Sequence, residues 1–321
     1  MGALYVGDLS FPEFLDVTNA RHPALAGMID PGRVADIDTL LNRMQEASWE
    51  FETDSTGGRG TVYNIAQRAR ANRAEGMTTL LKLFSADGAS VPGPDSVILD
   101  ALAGDGTISR FVEDLAQRPT IISADLSGYM VKKCLEQSLP CIRQSASTSL
   151  LQDGVLDGVL IAYGSHHLEG PDRLTAAQEA YRTLKPGGRF VLHDFETGGP
   201  VDRWFGEVVH PFSATGHPHP HFSRDEMMGL LDAPGFTAGR VIEIDDPFTL
   251  TAPTAAGARI RVLHHLWNMY GLVKLPLDDA GDLTDFEARV EATLGPVTVE
   301  RSSNGFTGRL GRKALVAVGT K

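Results

Sequence analysis

Between residues 96 and 195 short apolar runs alternate with amphipathic stretches, and this alternation limits the possible folds more than any other feature of the chain. The runs are SVILDAL (96–102), TIISADL (120–126), PCIRQSA (140–146), GVLIAYG (158–164) and RFVLHDF (189–195). Helical patterns ISRFVEDLAQR, SGYMVKKCLEQ and DRLTAAQEAYRTL fall between most of them, and in the last Leu174, Ala177, Tyr181 and Leu184 share one face. Strands that alternate with helices require right-handed crossovers, so the expectation is an α/β fold with a parallel sheet covered on both sides. FTAGRVIEI (236–244) reads as a sixth strand and KALVAVGT (313–320) as a seventh. Before the sixth, SRDEMMGLLDA reads as a helix capped by Ser223, with Glu226 completing a capping box.

The rest of the chain reads as additions to that sheet. Residues 1–90 form a helical amino-terminal cap: Val34, Ile37, Leu40, Leu41 and Met44 make one apolar stripe, TGGRG (56–60) interrupts the pattern, and the Pro/Gly segment DGASVPGPD (87–95) separates the cap from a core spanning 91–321. A helical insertion is expected at about 245–297, around AAGARIRVLHHLWNMYGLVKL. Cap and insertion read as cover for an acceptor pocket, with contacts for a homodimer, and Trp49 and Tyr63 as aromatic candidates for its wall.

Charge narrows the partners. The net charge of −12 argues against nucleic acid, which is held by clustered Lys and Arg. Of the basic runs RARANR (68–73) and RLGRK (309–313), the first, at helical spacing, reads as a solvated face. No apolar run approaches the roughly 18 residues of a membrane span. MGALYVGDLSFPEFLD lacks the regions of a secretory signal, so a cytoplasmic protein with reduced Cys134 and Cys141 is expected.

In open α/β sheets ligands bind at the carboxyl ends of the strands, and the first loop, SVILDALAGDGTISRF, has Gly104 and Gly106 where backbone must approach a ligand. Asp125 ends the second strand 19 residues after Gly106, a spacing that suits a carboxylate binding ribose hydroxyls. A dinucleotide would place its pyrophosphate on the helix start, where Asp105 and Asp100 already supply negative charge. A nucleoside with a cationic far end fits better, and S-adenosylmethionine is one.

VILDALAGDG, ADLSGYM, LDGVLIAYGSHHL and YRTLKPGGRFVLHDF, in that order, resemble the motifs of class I S-adenosylmethionine-dependent methyltransferases over about residues 95–195. The resemblance implies a Rossmann-like fold: a mostly parallel seven-stranded sheet with an antiparallel last strand. It implies that Asp100, Ala101 and Gly104 line the methionine end of the cofactor, that Asp125 takes the ribose and that Leu126 packs on the adenine. Ser145 and Ala146 would meet the adenine amine, and Tyr163 would offer backbone near the methionine. Leu102 replaces a usual glycine and Ser145 a usual acid, the second at a cost of about tenfold in affinity.

The implied reaction is methyl transfer to a small-molecule acceptor in specialised metabolism. A base is needed only for a hydroxyl, ammonium or acidic C–H acceptor, and histidine suits that role. His167, in the turn after the fourth strand, is the first candidate and Asp194, at the end of the fifth, the second. His210, His217, His219 and His221 form a histidine-rich stretch, but prolines 218 and 220 favour an extended run without the convergence a metal needs, so no metal is expected and the stretch reads as a lid. Competing readings are an enzyme that retains S-adenosylmethionine for a non-methylating cyclisation or decarboxylation, a nicotinamide-dependent oxidoreductase, and a non-enzymatic binding protein.

Overall fold

The computed structural model describes residues 4–35, 37–47, 70–214, 216–275 and 283–321. The chain opens with a small hairpin of β1 (Leu4–Val6) and β2 (Leu9–Ser10), followed by helices Phe11–Arg21, Pro23–Met28 and Ile37–Ala47. Ser10 caps the first of these helices in a complete box, its backbone N–H donating to Glu13 Oε2 at 2.8 Å. The strands that follow are β3 (Val97–Asp100), β4 (Thr120–Asp125), β5 (Cys141–Arg143), β6 (Leu156–Ile161), β7 (Leu184–Asp194), β8 (Thr237–Asp245), β9 (Phe248–Ala252), β10 (Thr298–Ser302), β11 (Gly305–Leu310) and β12 (Lys313–Thr320).

Seven of them form one sheet in the order β5-β4-β3-β6-β7-β12-β8. Five are parallel, and β12 runs antiparallel between β7 and β8, as the resemblance implied. Adjacent residues of β3, β4, β6, β7 and β12 enter opposite cores: Leu99, Ile122, Val159, Phe190 and Leu315 one, and Ile98, Ile121, Leu160, Val191 and Val316 the other. That two-sided burial is why these strands read as continuous apolar runs. The order reverses between β3 and β6, which opens a crevice at their carboxyl ends.

The additions hold more than the sequence pattern conveyed. Residues 4–35 lie along the β5 flank of the sheet: Arg143 donates to the backbone oxygen of Tyr5, the Tyr5 hydroxyl donates back to that of Arg143, and Ile29 bridges to Leu151. Of the described cap residues, Arg73 and Met77 reach the crevice. Trp49 and Tyr63 lie outside the described residues. The insertion carries helices Ala255–Met269 and Thr284–Thr293, and its strand β9 pairs with β10 and β11, just beyond it, in a three-stranded antiparallel sheet, β10-β11-β9, that was not anticipated. The helix Arg224–Asp232 has half of its expected capping box: Ser223 Oγ accepts from Glu226 N at 3.1 Å, while the Glu226 carboxylate binds Arg173. Cys134 and Cys141 are buried free thiols. Among the described residues no helix is long and apolar enough to cross a membrane.

Candidate functional site

The crevice is lined by Arg73, Met77, Asp100, Leu102, Ala103, Gly104, Asp105, Thr107, Ile108, Ala162 and Tyr163. The turn after β3 forms its floor. Ala103 N–H donates to Ala124 O at 2.9 Å, and Gly104 and Gly106 adopt left-handed φ of +55° and +82°. At Gly106 a side chain would begin 2.5 Å from Leu139, so glycine is required there by packing as well as by φ.

Two carboxylates face this turn. Asp125 is partly exposed, and it accepts from Gly104 N–H at 2.8 Å and from Ser127 N–H at 2.9 Å. Asp100 is 3% exposed, and its carboxyl is pushed up to about 7 by burial and then by the Asp125 charge, against one hydrogen bond from the Leu102 backbone. Asp105 departs from expectation. It is buried and held by Arg110 Nη2 through two 3.0 Å bonds and by the Thr107 hydroxyl at 3.0 Å, so its charge is neutralised within the turn. The acidity of the crevice therefore comes from Asp100 and Asp125, and the repulsion first attributed to Asp105 is absent.

Arg73 also departs from its expected place on a solvated face. Its guanidinium stands over the Tyr163 ring at 4.6 Å and the Phe248 ring at 5.1 Å, and it adds a cation to the crevice wall. Tyr163, with φ of +60°, sends its hydroxyl inward to Asp246 at 3.2 Å. Asp246 in turn forms a fully buried pair with Arg312. Leu126 is partly exposed, and its carbonyl accepts from Arg143 Nε at 3.0 Å. Ser145 is partly exposed, with its hydroxyl 2.9 Å from that of Ser147. Ala101 and Ala146 line a separate small gap with Leu99 and Val159 and are not among the residues that line the crevice.

His166 and His167 sit on the single turn Ser165–His167 after β6. Asp194 lies beneath that turn and is saturated with donors: the Ser165 hydroxyl, His166 N–H at 2.8 Å, His166 Nδ1 at 3.0 Å and Phe195 N–H at 2.7 Å. Burial alone would raise the Asp194 carboxyl, but the His166 ring and these donors prevail and hold it well below the usual carboxylate range. Asp194 is a hub that fixes the turn, with no lone pair left to take a substrate proton. His167 is partly exposed, and the point where a Gly164 side chain would begin is 3.8 Å from both His167 and the crevice residue Leu102, which places His167 near the crevice without lining it.

The histidine-rich stretch converges on the same turn, contrary to expectation. The His217 ring is centred 4.9 Å from His166 and 5.2 Å from His167, His221 lies 5.0 Å from His166, and His219 lies 4.4 Å from His167. No local signal revealed this meeting of segments fifty residues apart.

Residues 99–192 match the sequence family described as a methyltransferase domain. That match falls within the segment whose motifs resemble class I S-adenosylmethionine-dependent methyltransferases. The ubiquinone/menaquinone biosynthesis C-methyltransferase of Brucella anthropi is 32% identical to the chain over 126 residues, which is 35% of this chain and 47% of that protein. The Brucella abortus protein of that name is 32% identical over 111 residues, 32% of this chain and 40% of its own length. The chain thus spans less than half the length of these relatives. A solved methyltransferase structure from Bacillus halodurans is 16% identical, covers 75% of this chain and 98% of its own, and aligns with a TM-score of 0.48. The methyltransferases that the chain resembles take S-adenosylmethionine, and the crevice fits that cofactor: it has a buried carboxyl that a cation could meet and, in Arg73, a charge that an anion could meet.

Proposed function

We propose that this chain transfers a methyl group from S-adenosylmethionine to a small-molecule acceptor, in the cytoplasm and within specialised metabolism. The observation that carries this reading is the arrangement of Asp100, Asp125 and Arg73 around one glycine turn of the methyltransferase domain. Asp100 would hold the ammonium group of the cofactor and Arg73 its carboxylate. Asp125 would take the ribose hydroxyls while keeping the Gly104 amide in place. Leu126 would pack on the adenine, with Ser145 and the backbone of Ala146 at its amine. Backbone of Ala101 and Tyr163 would border the methionine end.

When bound, the cofactor supplies an electrophilic methyl group on a sulfonium whose departure needs no proton. The protein's task is then to position the acceptor about 3 to 3.5 Å from that carbon, which supplies up to roughly 7 to 11 kcal/mol of the barrier. His167, on the crevice side of the histidine turn, is the group proposed to meet the acceptor and receive its proton. Asp194 acts through His166 and Ser165 as a positioning residue. The insertion, tied to Tyr163 through Asp246 and Arg312, would roof the acceptor side.

The relatives are named as C-methyltransferases of quinone biosynthesis, so phenolic rings with an acidic C–H are the acceptors to screen first. The experiment incubates the protein with S-adenosylmethionine and a panel of such phenols and follows both products by mass spectrometry. S-adenosylhomocysteine stoichiometric with a product heavier by one methylene supports the reading. Product formed without S-adenosylhomocysteine would replace it with a retained-cofactor reaction.

A further inference from the structure

The cluster of imidazoles after β6 has a property that methyl transfer does not require. One ring nitrogen from each of His166, His167 and His217 lies within 4.8 Å of the other two. Around an ion with about 2.0–2.1 Å bonds to nitrogen in tetrahedral geometry, ligand atoms stand about 3.3–3.4 Å apart, so the three rings need to close by at most about 1.5 Å. They come from two segments far apart in sequence, the turn Ser165–His167 and the stretch before Phe222, and their meeting gives the convergence a metal needs.

The surroundings are those of a metal centre. His166 directs Nδ1 to the Asp194 carboxylate at 3.0 Å, an outer carboxylate that fixes the ring and leaves Nε2 for another partner. His221 repeats the arrangement: its Nδ1 is 2.6 Å from Asp202 Oδ1, and its Nε2 is buried without a hydrogen-bond partner among the described residues. A buried imidazole nitrogen left unpaired is costly, and here it lies in a ring 5.0 Å from His166. Phe205 packs against His166, His217 and His221 and closes the cluster from behind.

We propose that His166, His167 and His217 bind one divalent transition-metal ion of the nitrogen-preferring class, such as Zn²⁺ or Co²⁺, with Asp194 as the carboxylate that orients His166. Three imidazoles leave a fourth position for water or for an acceptor oxygen. The ion's catalytic use rests on the placement of His167 beside the crevice: His167 would then meet the acceptor through the metal, which would make a phenol or enol easier to ionise. Its binding does not rest on methyl transfer and is measured without turnover.

The test uses untagged full-length protein, stripped with chelator and titrated with Co²⁺ alone, with visible d–d absorption as the readout. One equivalent should bind and produce the spectrum of a nitrogen-rich site, and Zn²⁺ should displace it. His166→Gln and His217→Gln should each weaken binding at least about tenfold, Asp194→Asn should weaken it by about 10- to 100-fold, and His264→Gln on the exposed insertion helix should leave it unchanged. If His166→Gln does not fold by circular dichroism, His217→Gln in the stretch before Phe222 carries the test. Absence of stoichiometric Co²⁺ binding by the folded wild type, or full binding by folded His217→Gln, would overturn the assignment. A metal site lost while S-adenosylmethionine still binds would leave the proposed function standing, so the two readings fail separately.

Discussion

Asp100 links cofactor affinity to pH in a way that can be worked from the structure. Its carboxyl titrates near 7 because burial and the neighbouring Asp125 both disfavour its charge. A bound ammonium or sulfonium reverses that balance and keeps the carboxylate ionised, so only the ionised fraction of the free protein is ready to bind. With a pKa of about 7 that fraction is about one half at pH 7 and about one in a hundred at pH 5, which weakens apparent affinity by about 50-fold, or about 2.3 kcal/mol. The cofactor's own ammonium, with a pKa of about 7.7–8.0, stays protonated throughout this window, so the slope belongs to the protein. Titration calorimetry in buffers of different ionisation heat should show proton release on binding. Asp100→Asn should bind weakly at every pH and lose the slope. The same shift has a cost in stability with the sign of a raised acid: the contribution of Asp100 is fully present below about pH 4 and is lost as pH rises from there to about 7, by up to about 4 kcal/mol. Asp100→Asn should therefore raise the melting temperature at pH 8 while impairing binding. A flat affinity between pH 7 and 5 in the wild type, or a slope that survives in Asp100→Asn, would refute the reasoning.

Other substitutions probe the same framework. Gly106→Ala combines a left-handed φ with a 2.5 Å approach to Leu139, so urea unfolding should show a loss of about 2–4 kcal/mol against about 1 kcal/mol for Gly104→Ala, which opens into free space; equal losses would contradict the packing. Asp246→Asn leaves Arg312 buried without its counter-charge and should cost about 3–5 kcal/mol at constant m-value, a prediction that a loss below about 1 kcal/mol would defeat. Asp125→Ala removes an acceptor for two backbone amides as well as the ribose contact, and should raise the dissociation constant for S-adenosylmethionine at least tenfold; calorimetry showing an unchanged value would remove Asp125 from the site.

What the sequence made legible was what short-range periodicity encodes. β3, β4, β6, β7 and β12 were recognisable because each crosses a sheet buried on both faces, and the glycine turn because Gly104 and Gly106 fall between a strand and a helix. The insertion strands were missed although Asn304-Gly305 beside the period-2 residues of β10 and β11 is a hairpin signal; helical residues around them drew attention away. Asp105 was misread because a charge was counted without its partner, and Arg110, five residues on, was the available clue. Arg73 and the meeting of His166 with His217 and His221 depend on contacts across the fold, and no local pattern of RARANR or GHPHPH distinguishes an inward arginine or a convergent histidine from an exposed one.

The placement of β12 bears on how the protein is made. β8 joins the sheet only through β12, and β7 has no neighbour on that side until β12 arrives. A growing chain that has emerged as far as the insertion therefore holds a five-strand sheet with an uncovered apolar edge, together with a β8 that has nowhere to pair. Such an edge is a template for other chains. The ribosome must deliver residues 313–320 before this hazard ends, so yield in a cell should depend on holding chaperones more than the finished molecule's stability would imply.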